Sequence, residues 1–274
     1  MDPIKVQLTR EKETLLPTLY GKALDNRAEH PILGDKYADA VLRRIDYDFA
    51  KLRLGKNASV SLPLRAKHLD GWTREFLAEN PHAVVLHLGC GLDSRVFRID
   101  PPATVAWYDI DYPEVIELRQ RLYPERRDYV MIGASVTDPK WLAAVPTDRP
   151  VLVVAEGLVQ YLSEETGVAL FRRICERFPS GQIVFDAYSR LMNRMIGLMP
   201  AAKEMGISLT WALDEPRLLE ERIPRLKLIS EVPFLSMPEL VARLSASRIQ
   251  RAIYDLLART NLMRHAIRHL RYRF

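Results

Sequence analysis

The run VVLHLGCGLDSR places two glycines, Gly89 and Gly91, directly after a short apolar stretch. Glycine at such a point lets the backbone turn sharply and lets a ligand approach with no Cβ in the way. Read alone, G-x-G is equally the mark of an ordinary strand-to-helix turn. Roughly twenty residues on, where an acid can accept hydrogen bonds from both hydroxyls of a ribose, the run TVAWYDID ends in Asp109 and Asp111. Asp111, just before Pro113-Glu114, can also cap a helix. The third glycine of a dinucleotide fingerprint is missing, because Leu92, Asp93 and Ser94 follow Gly91. A ribose acid without a pyrophosphate seat suits an adenosine that lacks a diphosphate, and so points to S-adenosylmethionine.

That molecule carries a sulfonium, an ammonium and a carboxylate, so its site needs a fixed cation and nearby acceptors. Arg65 offers a planar fork for a carboxylate, although its helical context alone reads as a solvated residue. Glu156 follows VLVVA and should stand at the carboxyl edge of a sheet, where open α/β sheets bind ligands. The alternative for Glu156 is an anion at a helix N-terminus. Methyl transfer from a sulfonium is an in-line displacement, and the enzyme's work is alignment and exclusion of water. A carboxylate acceptor arrives ionised, whereas a phenol or alcohol needs a base. Asp186 and Tyr188, in GQIVFDAY, are the nearest base candidates, and Tyr161 either touches the acceptor or packs. His68 and His87 are poorer; His87 lies inside an apolar run and reads as a satisfied core histidine. Cys90 reads as a small filler of the turn.

These residues must be held by a core, and the composition allows one. Of 274 residues, 48% are hydrophobic and 27% charged, with a net charge of +5. This excludes a disordered chain and permits, without requiring, an acidic partner. Two cysteines, Cys90 and Cys175, exclude a disulfide scaffold and a Cys-rich zinc site, and no metal is expected. The opening MDPIKVQLTREKETLL has charges where a signal peptide needs an apolar run, and no stretch is long enough to span a bilayer. A cytoplasmic enzyme is the expectation.

Residues 1 to about 80 read as helical, with helical spacing in KYADAVLRRIDYDFAKLRL and RAKHLDGWTREFLAEN, the latter ending at Asn80-Pro81. Then AVVLHLGCG, TVAWYDID, DYVMIGAS, VLVVAEGL and GQIVFDAY form five continuous apolar runs, as expected for strands buried on both faces of a parallel sheet. Between them PEVIELRQRLY, PKWLAAV and SEETGVALFRRICERF have helical character. The expected fold is α/β, a doubly wound, mostly parallel sheet. LKLISEVPFL and the terminal RYRF would bring it to seven strands. MNRMIGLMPAAKEMG, with Met192, Met195, Met199 and Met205, reads as a lid, and PELVARLSASRIQRAIYDLLARTNLMRHAIRHL as helical. Eight arginines, Arg243, Arg248, Arg251, Arg259, Arg264, Arg268, Arg271 and Arg273, read as a solvated basic helix face, and no nucleic acid is expected.

Taken together, LHLGCGLDSRVFRI, WYDIDYPEVIELR and AEGLVQYL, with GKALDNRAEHPILGDKYADAV before them and FDAY and WALDEP after, resemble the leucine carboxyl methyltransferase superfamily in its bacterial polyketide O-methyltransferase branch. The specific signal is G-x-G-L-D-x-R-x-x-R, then acid-x-D-x-P, then E-G-L-x-x-Y-L. The resemblance implies a class I, Rossmann-like methyltransferase using S-adenosylmethionine. It implies that Gly89 and Gly91 contact the amino acid part of the cofactor, that Asp111 with Asp109 holds the ribose, and that Arg65 and Lys22 serve the cofactor carboxylate. Glu156 would line the pocket near the reacting end. Near the adenine the family usually has an acid followed by an apolar residue; here Ser135 and Val136 stand there. It also implies residues 1–80 as a helical cover over the pocket and 81–274 as the core, with a lid insertion at about 190–225.

The function expected is O-methylation of a carboxylate or hydroxyl on a small organic acceptor, a polyketide or aromatic acid. Alternatives are methylation of a protein C-terminal carboxylate, an NAD(P)-dependent oxidoreductase on the same architecture, and a non-catalytic module that keeps the pocket as a scaffold. The missing glycine and the absence of a clear Tyr-x-x-x-Lys pair count against the oxidoreductase.

Overall fold

The computed structural model describes residues 4–6, 13–52, 54–199, 202–203, 206–244 and 247–274. Expectations that fall on residues 1–3, 7–12, 53, 200–201, 204–205 (Met205 among them) and 245–246 lie outside the described residues. Seven strands form one sheet: β3 (Val84–Leu88), β4 (Ala106–Asp111), β5 (Tyr129–Gly133), β6 (Val151–Ala155), β7 (Gly181–Tyr188), β8 (Lys227–Pro233) and β9 (Ile267–Arg273), with the order β5-β4-β3-β6-β7-β9-β8. All neighbours are parallel except β9, which runs antiparallel between β7 and β8. The order reverses between β3 and β6, and at such a switch point the strand ends diverge and leave a crevice.

The continuous apolar runs fill both faces. Val84, Leu86 and Leu88 of β3 enter one core, with Phe171, Ile174 and Trp211, while Val85 enters the other, with Leu69, Trp72 and Phe76. Every residue of β3 and β6 is buried. β5 differs from expectation: it is the sheet edge, and Val130 is 43% exposed. The first core is closed by α6 (Glu164–Arg177), whose N-cap Ser163 accepts from Thr166 N. Gly167 of α6 leaves a notch for the indole of Trp211; an added Cβ would lie 1.9 Å from Trp211 Cζ3.

The second core is covered by the N-terminal elements. These are α1 (Leu15–Asn26), α2 (Lys36–Leu42) and the long α3 (Lys56–Glu79), which ends where Asn80 N and Nδ2 both bond Phe76 O ahead of Pro81. KYADAVLRRIDYDFAKLRL is not one helix. The helix stops at Leu42, Ile45–Asp46 (β2) pairs in parallel with Ile4–Lys5 (β1), and a 3₁₀ turn spans Phe49–Leu52. Arg44 holds the break by donating to the Leu122 and Arg121 carbonyls at the end of α5 (Pro113–Leu122), while Ile45 turns into the core. PKWLAAV likewise forms a 3₁₀ segment, Pro139–Ala144. After β3 comes the short helix α4 (Arg95–Ile99).

After β7, α7 (Arg190–Leu198) buries none of its residues, and α8 (Leu218–Arg222) precedes β8. The C-terminal stretch is less helical than its period implied. α9 (Pro238–Leu244), α10 (Arg248–Arg259) and α11 (Asn261–Arg264) give way to β9 at Ile267. Arg268 and Arg271 therefore lie on a strand. Arg268 is buried against the Leu213 and Asp214 carbonyls, and Arg271 donates to Gln182 and Glu75.

β9 meets α3 through two histidines, His269 and His68, with Nδ1 atoms 2.8 Å apart and the rings flanked by Phe234 and Trp72. Burial lowers both pKa values; Glu75 opposes this at His68, and at His269 the His68 and Arg65 charges add to it while Glu156 opposes it. The folded state therefore prefers both rings neutral. Their contribution is full above an unfolded histidine pKa of about 6.5 and is lost as pH falls below it. The melting temperature should drop between about pH 7.5 and pH 5.5, and less steeply in His269→Leu. A wild-type melting curve that is flat across this range would contradict the assignment.

Candidate active site

The crevice at the switch point is a cavity of about 620 Å³. Its floor is the turn after β3. Gly89 and Gly91 have φ of +61° and +48°, the left-handed region that glycine alone occupies without strain. A Cβ at Gly89 would lie 2.9 Å from Leu158 Cδ1. Gly91 N donates to Asp111 Oδ2 at 2.7 Å and Tyr112 N to Oδ1 at 2.7 Å, so Asp111 caps the end of β4 with its carboxylate at the cavity wall. Burial raises its pKa, and the two N–H donors offset this in part.

Asp109 does something else. Residues two apart on a strand share a face, but Asp109 sits about 7 Å further down β4, fully buried and outside the cavity wall. It takes Trp107 Nε1 at 2.9 Å, Tyr129 Oη at 2.6 Å, His87 Nδ1 at 3.1 Å and the Arg119 guanidinium. Burial alone would raise its pKa; Arg119, His87 and Tyr129 outweigh that and bring it to about 2. Arg119, from α5, then reaches back to the Gly91 carbonyl at 2.8 Å and the Asp93 carbonyl at 2.9 Å. Of the two acids expected at the ribose, Asp109 is thus the anchor of an arginine that clamps the glycine turn.

Beside the turn lies a second buried lattice of charge. Arg95 Nε donates to Asp70 at 2.7 Å, its Nη1 to His87 Nε2 at 3.2 Å, and its Nη2 to Glu156. Because arginine only donates, His87 Nε2 accepts and Nδ1 carries the hydrogen bonded to Asp109. Arg98 joins Asp70, Asp35 and Asp93 at 2.6–2.9 Å, and Asp35 also caps α2. Asp93, Arg95 and Arg98 are the D-x-R-x-x-R portion of the motif, visible in the sequence but without an assigned task there. Glu156, at the end of β6, is shared by Lys22 at 3.4 Å, Arg65 at 3.2 Å and Arg95. Burial opposes its charge, but Lys22, Arg95 and Arg65 hold its carboxyl far below the usual range. Arg98, Lys22 and Arg95 do the same for Asp93 against its own burial.

Arg65, from α3, lies over Gly157 and also bonds Asp186 at 3.2 Å. Asp186 takes Gly157 N at 2.6 Å, is fully buried and does not line the cavity, so it is an anchor for Arg65 and not a base facing an acceptor. Tyr161 and Tyr188 do line the cavity; burial pushes the Tyr188 hydroxyl upward. Cys90 is buried with its thiol pKa raised by burial, an unreactive filler. Lys22, Arg65, Gly89, Gly91, Asp111, Ser135, Val136 and Glu156 come together around one cavity, with Asp93 added to them and Asp109 and Asp186 behind.

Two buried atoms of this wall are ion-paired without being hydrogen-bonded. Lys22 Nζ lies 3.2 Å from Asp93 Oδ2, yet neither atom has a hydrogen bond of good geometry, and both are buried. Cations (Lys22, Arg65) and carboxylates (Asp93, Glu156) thus stand side by side at the cavity, a mixed set complementary to the carboxylate and ammonium of an amino acid. The side-chain-free turn and Asp111 beyond it suit a ribose. The residues present therefore fit S-adenosylmethionine.

Comparison with known proteins agrees. The leucine carboxyl methyltransferase family model matches residues 16–175. The chain is 45% identical over 269 residues to the tetracenomycin polyketide synthesis O-methyltransferase TcmP of Streptomyces glaucescens, covering 98% of each. It is 38% identical over 248 residues to the S-adenosyl-L-methionine-dependent methyltransferase dpfgK of Gibberella zeae, covering 83% of each. Among solved structures, a duf574 family protein from Streptomyces avermitilis shares the fold with a TM-score of 0.61 at 14% identity, over 95% of this chain and 96% of that one.

The two acids of β4 should separate experimentally. Asp111→Ala should weaken S-adenosylhomocysteine binding by about 1–3 kcal/mol in titration calorimetry, with little change in urea denaturation. Arg119→Leu, which strands Asp109, should cost about 3–5 kcal/mol of folding stability. The opposite pattern would reverse the roles of Asp109 and Asp111.

Proposed function

Because this chain belongs to the leucine carboxyl methyltransferase family and is an S-adenosylmethionine-dependent O-methyltransferase, we propose that it esterifies the carboxylate of a small acceptor of polyketide or aromatic-acid type. The family membership sets the nicotinamide-dependent alternative aside. When bound, the cofactor supplies an electrophilic methyl group on a sulfonium. Lys22 and Arg65 hold its carboxylate, Asp93 and Glu156 its ammonium, and Asp111 its ribose, with Ser135 and Val136 beside the adenine. Residues 1–80 serve as the cover and about 190–225 as the lid. Leu15, Leu62, Ile196 and Leu209 give the remaining space apolar walls that keep water out.

One observation carries the choice of a carboxylate. Among the described lining residues, the acids and the histidine are already committed. Glu156 and Asp93 are held ionised by cations, Asp111 is bonded to two backbone N–H groups, and both His87 nitrogens are engaged. Tyr188, the remaining candidate on the wall, keeps its proton because burial pushes its hydroxyl upward. A phenol or alcohol would need one of these groups as a base, whereas a carboxylic acid arrives without its proton. The polyketide class rests on the likeness to the tetracenomycin enzyme.

S-adenosylhomocysteine should raise the melting temperature, and NAD should not. With the cofactor and a set of aromatic carboxylic acids, phenols and peptides ending in a free carboxylate, methyl ester should form on the small acids. The kcat/KM should stay flat from about pH 6.5 to pH 9, since no base titrates. Ether formation on phenols with a rate rising through that range would overturn the carboxylate reading, and turnover of the peptides alone would make the substrate a protein terminus. Cofactor binding without transfer to any of them would place the acceptor outside these three classes.

A further inference from the structure

Two helices carry apolar side chains outward. In α10, Ile249, Ile253 and Leu256 recur at the four- and three-residue spacing of one helix face, and they are 75%, 52% and 68% exposed. In α7, Met195 and Leu198, with Met199 just past the helix end, share a face in the same way and are likewise exposed. Single exposed apolar residues are ordinary on a protein surface, but a stripe kept along a helix face is not. A helix that only covers its own core turns such a stripe inward; α7 buries no residue, and none of the described side chains of α10 is buried.

Both stripes are flanked by arginine. Arg190 and Arg194 lie one turn apart on the adjoining face of α7, and Arg248 and Arg259 lie three turns apart on the adjoining face of α10; all four are exposed. Arg190 also meets Asp214 at 3.7 Å. The sequence of α7 holds no acid, and that of α10 sets Asp255 alone against Arg248, Arg251 and Arg259. The two segments leave the sheet together. Ser189, the N-cap of α7, donates its N–H to the Ala266 carbonyl at 2.9 Å, Tyr188 pairs with Ile267, and Pro233, where the segment holding α10 begins, pairs with Arg268. This is the edge of the sheet that carries the cavity, which Tyr188 and Ile196 line.

We propose that α10 and α7 dock the protein on an anionic lipid surface, the apolar stripes entering the boundary between headgroups and acyl chains and the arginines meeting lipid phosphates. An apolar face bordered by basic residues is the pattern of a helix that lies in a membrane interface. Arginine suits the border, because its stem stays with the apolar side chains while its guanidinium reaches the headgroups. Among the described residues no helix is long and apolar enough to cross a bilayer, so the contact is with its surface. A second copy of the chain fits less well: a two-fold dimer lays the same patch on itself and would bring these arginines together. The docking is independent of which acceptor the enzyme methylates.

The test is flotation of the full chain with vesicles of phosphatidylcholine alone and of equal parts phosphatidylcholine and phosphatidylglycerol. The protein should float with the mixed vesicles, hardly with the neutral ones, and less as salt is added. Arg248→Ala and Arg259→Ala should each weaken the binding roughly fivefold. Ile253→Glu with Leu256→Glu, and separately Leu198→Glu, should weaken it further at unchanged net lipid charge. S-adenosylhomocysteine affinity and melting temperature near those of wild type will show that each α10 variant is folded; the arginine variants and the salt series stand if the glutamate variants are not. Absence of flotation with the mixed vesicles, or equal flotation with both kinds, overturns the proposal. A dimer in light scattering that Ile253→Glu with Leu256→Glu dissolves would give the stripe to a second copy, and binding of polyglutamate without binding of vesicles would give the arginines to an acidic polypeptide; either result also overturns it.

Discussion

The site depends on how a few buried carboxylates are shared. Glu156 alone is approached by cations from α1, α3 and α4, through Lys22, Arg65 and Arg95. Desolvating each such ion costs several kcal/mol, and that cost is recovered only when every charge meets partners in good geometry. The lattice therefore ties helices far apart in sequence to one point at the end of β6. Its loosest join is the Lys22–Asp93 pair, where Nζ and Oδ2 lie 3.2 Å apart without a hydrogen bond of good geometry. The fold is thus organised around a cluster of shared charges at the edge of the cavity.

The clamp from Asp109 through Arg119 to the glycine turn performs a second task of the same kind. Two positive-φ glycines so close in the chain would give a loose loop if left to themselves. Arg119 donates to the carbonyls of Gly91 and Asp93, Asp109 and Tyr129 hold Arg119 from behind, and Trp107 and His87 in turn fix Asp109. Preorganisation of the cradle thus resides largely in Asp109 and Arg119, which lie outside the cavity wall.

How much of this could be read beforehand follows from which signals are local. The apolar runs marked out the parallel sheet, because burial on both faces leaves a composition that survives without knowledge of partners. Gly89, Gly91, Asp111 and Glu156 were legible because they sit at strand ends, where spacing along the chain gives position in space. Asp109 was misplaced because depth along a strand is invisible to a motif, and Asp186 because its partner Arg65 lies 121 residues away. The break at Ile45 escaped the helical period because it depends on pairing with Ile4, a contact with no sequence mark. The strand character of Ile267–Leu270 was masked by the helical spacing that continues into it, and only pairing with β7 and β8 decides it.

The notch at Gly167 has a consequence for altering this protein. Trp211 is pinned there, and Thr210 is pinned to Gln160 and Leu162. The chain leaving the cavity is thus nailed down on one side, while α7 on the other side buries nothing. Ile196 of α7, and Ile207 and Leu209 between the two, line the cavity and form no part of the charge lattice. Evolution, or a protein engineer seeking a new scope of acceptors, has in these three positions a replaceable panel set in a fixed frame.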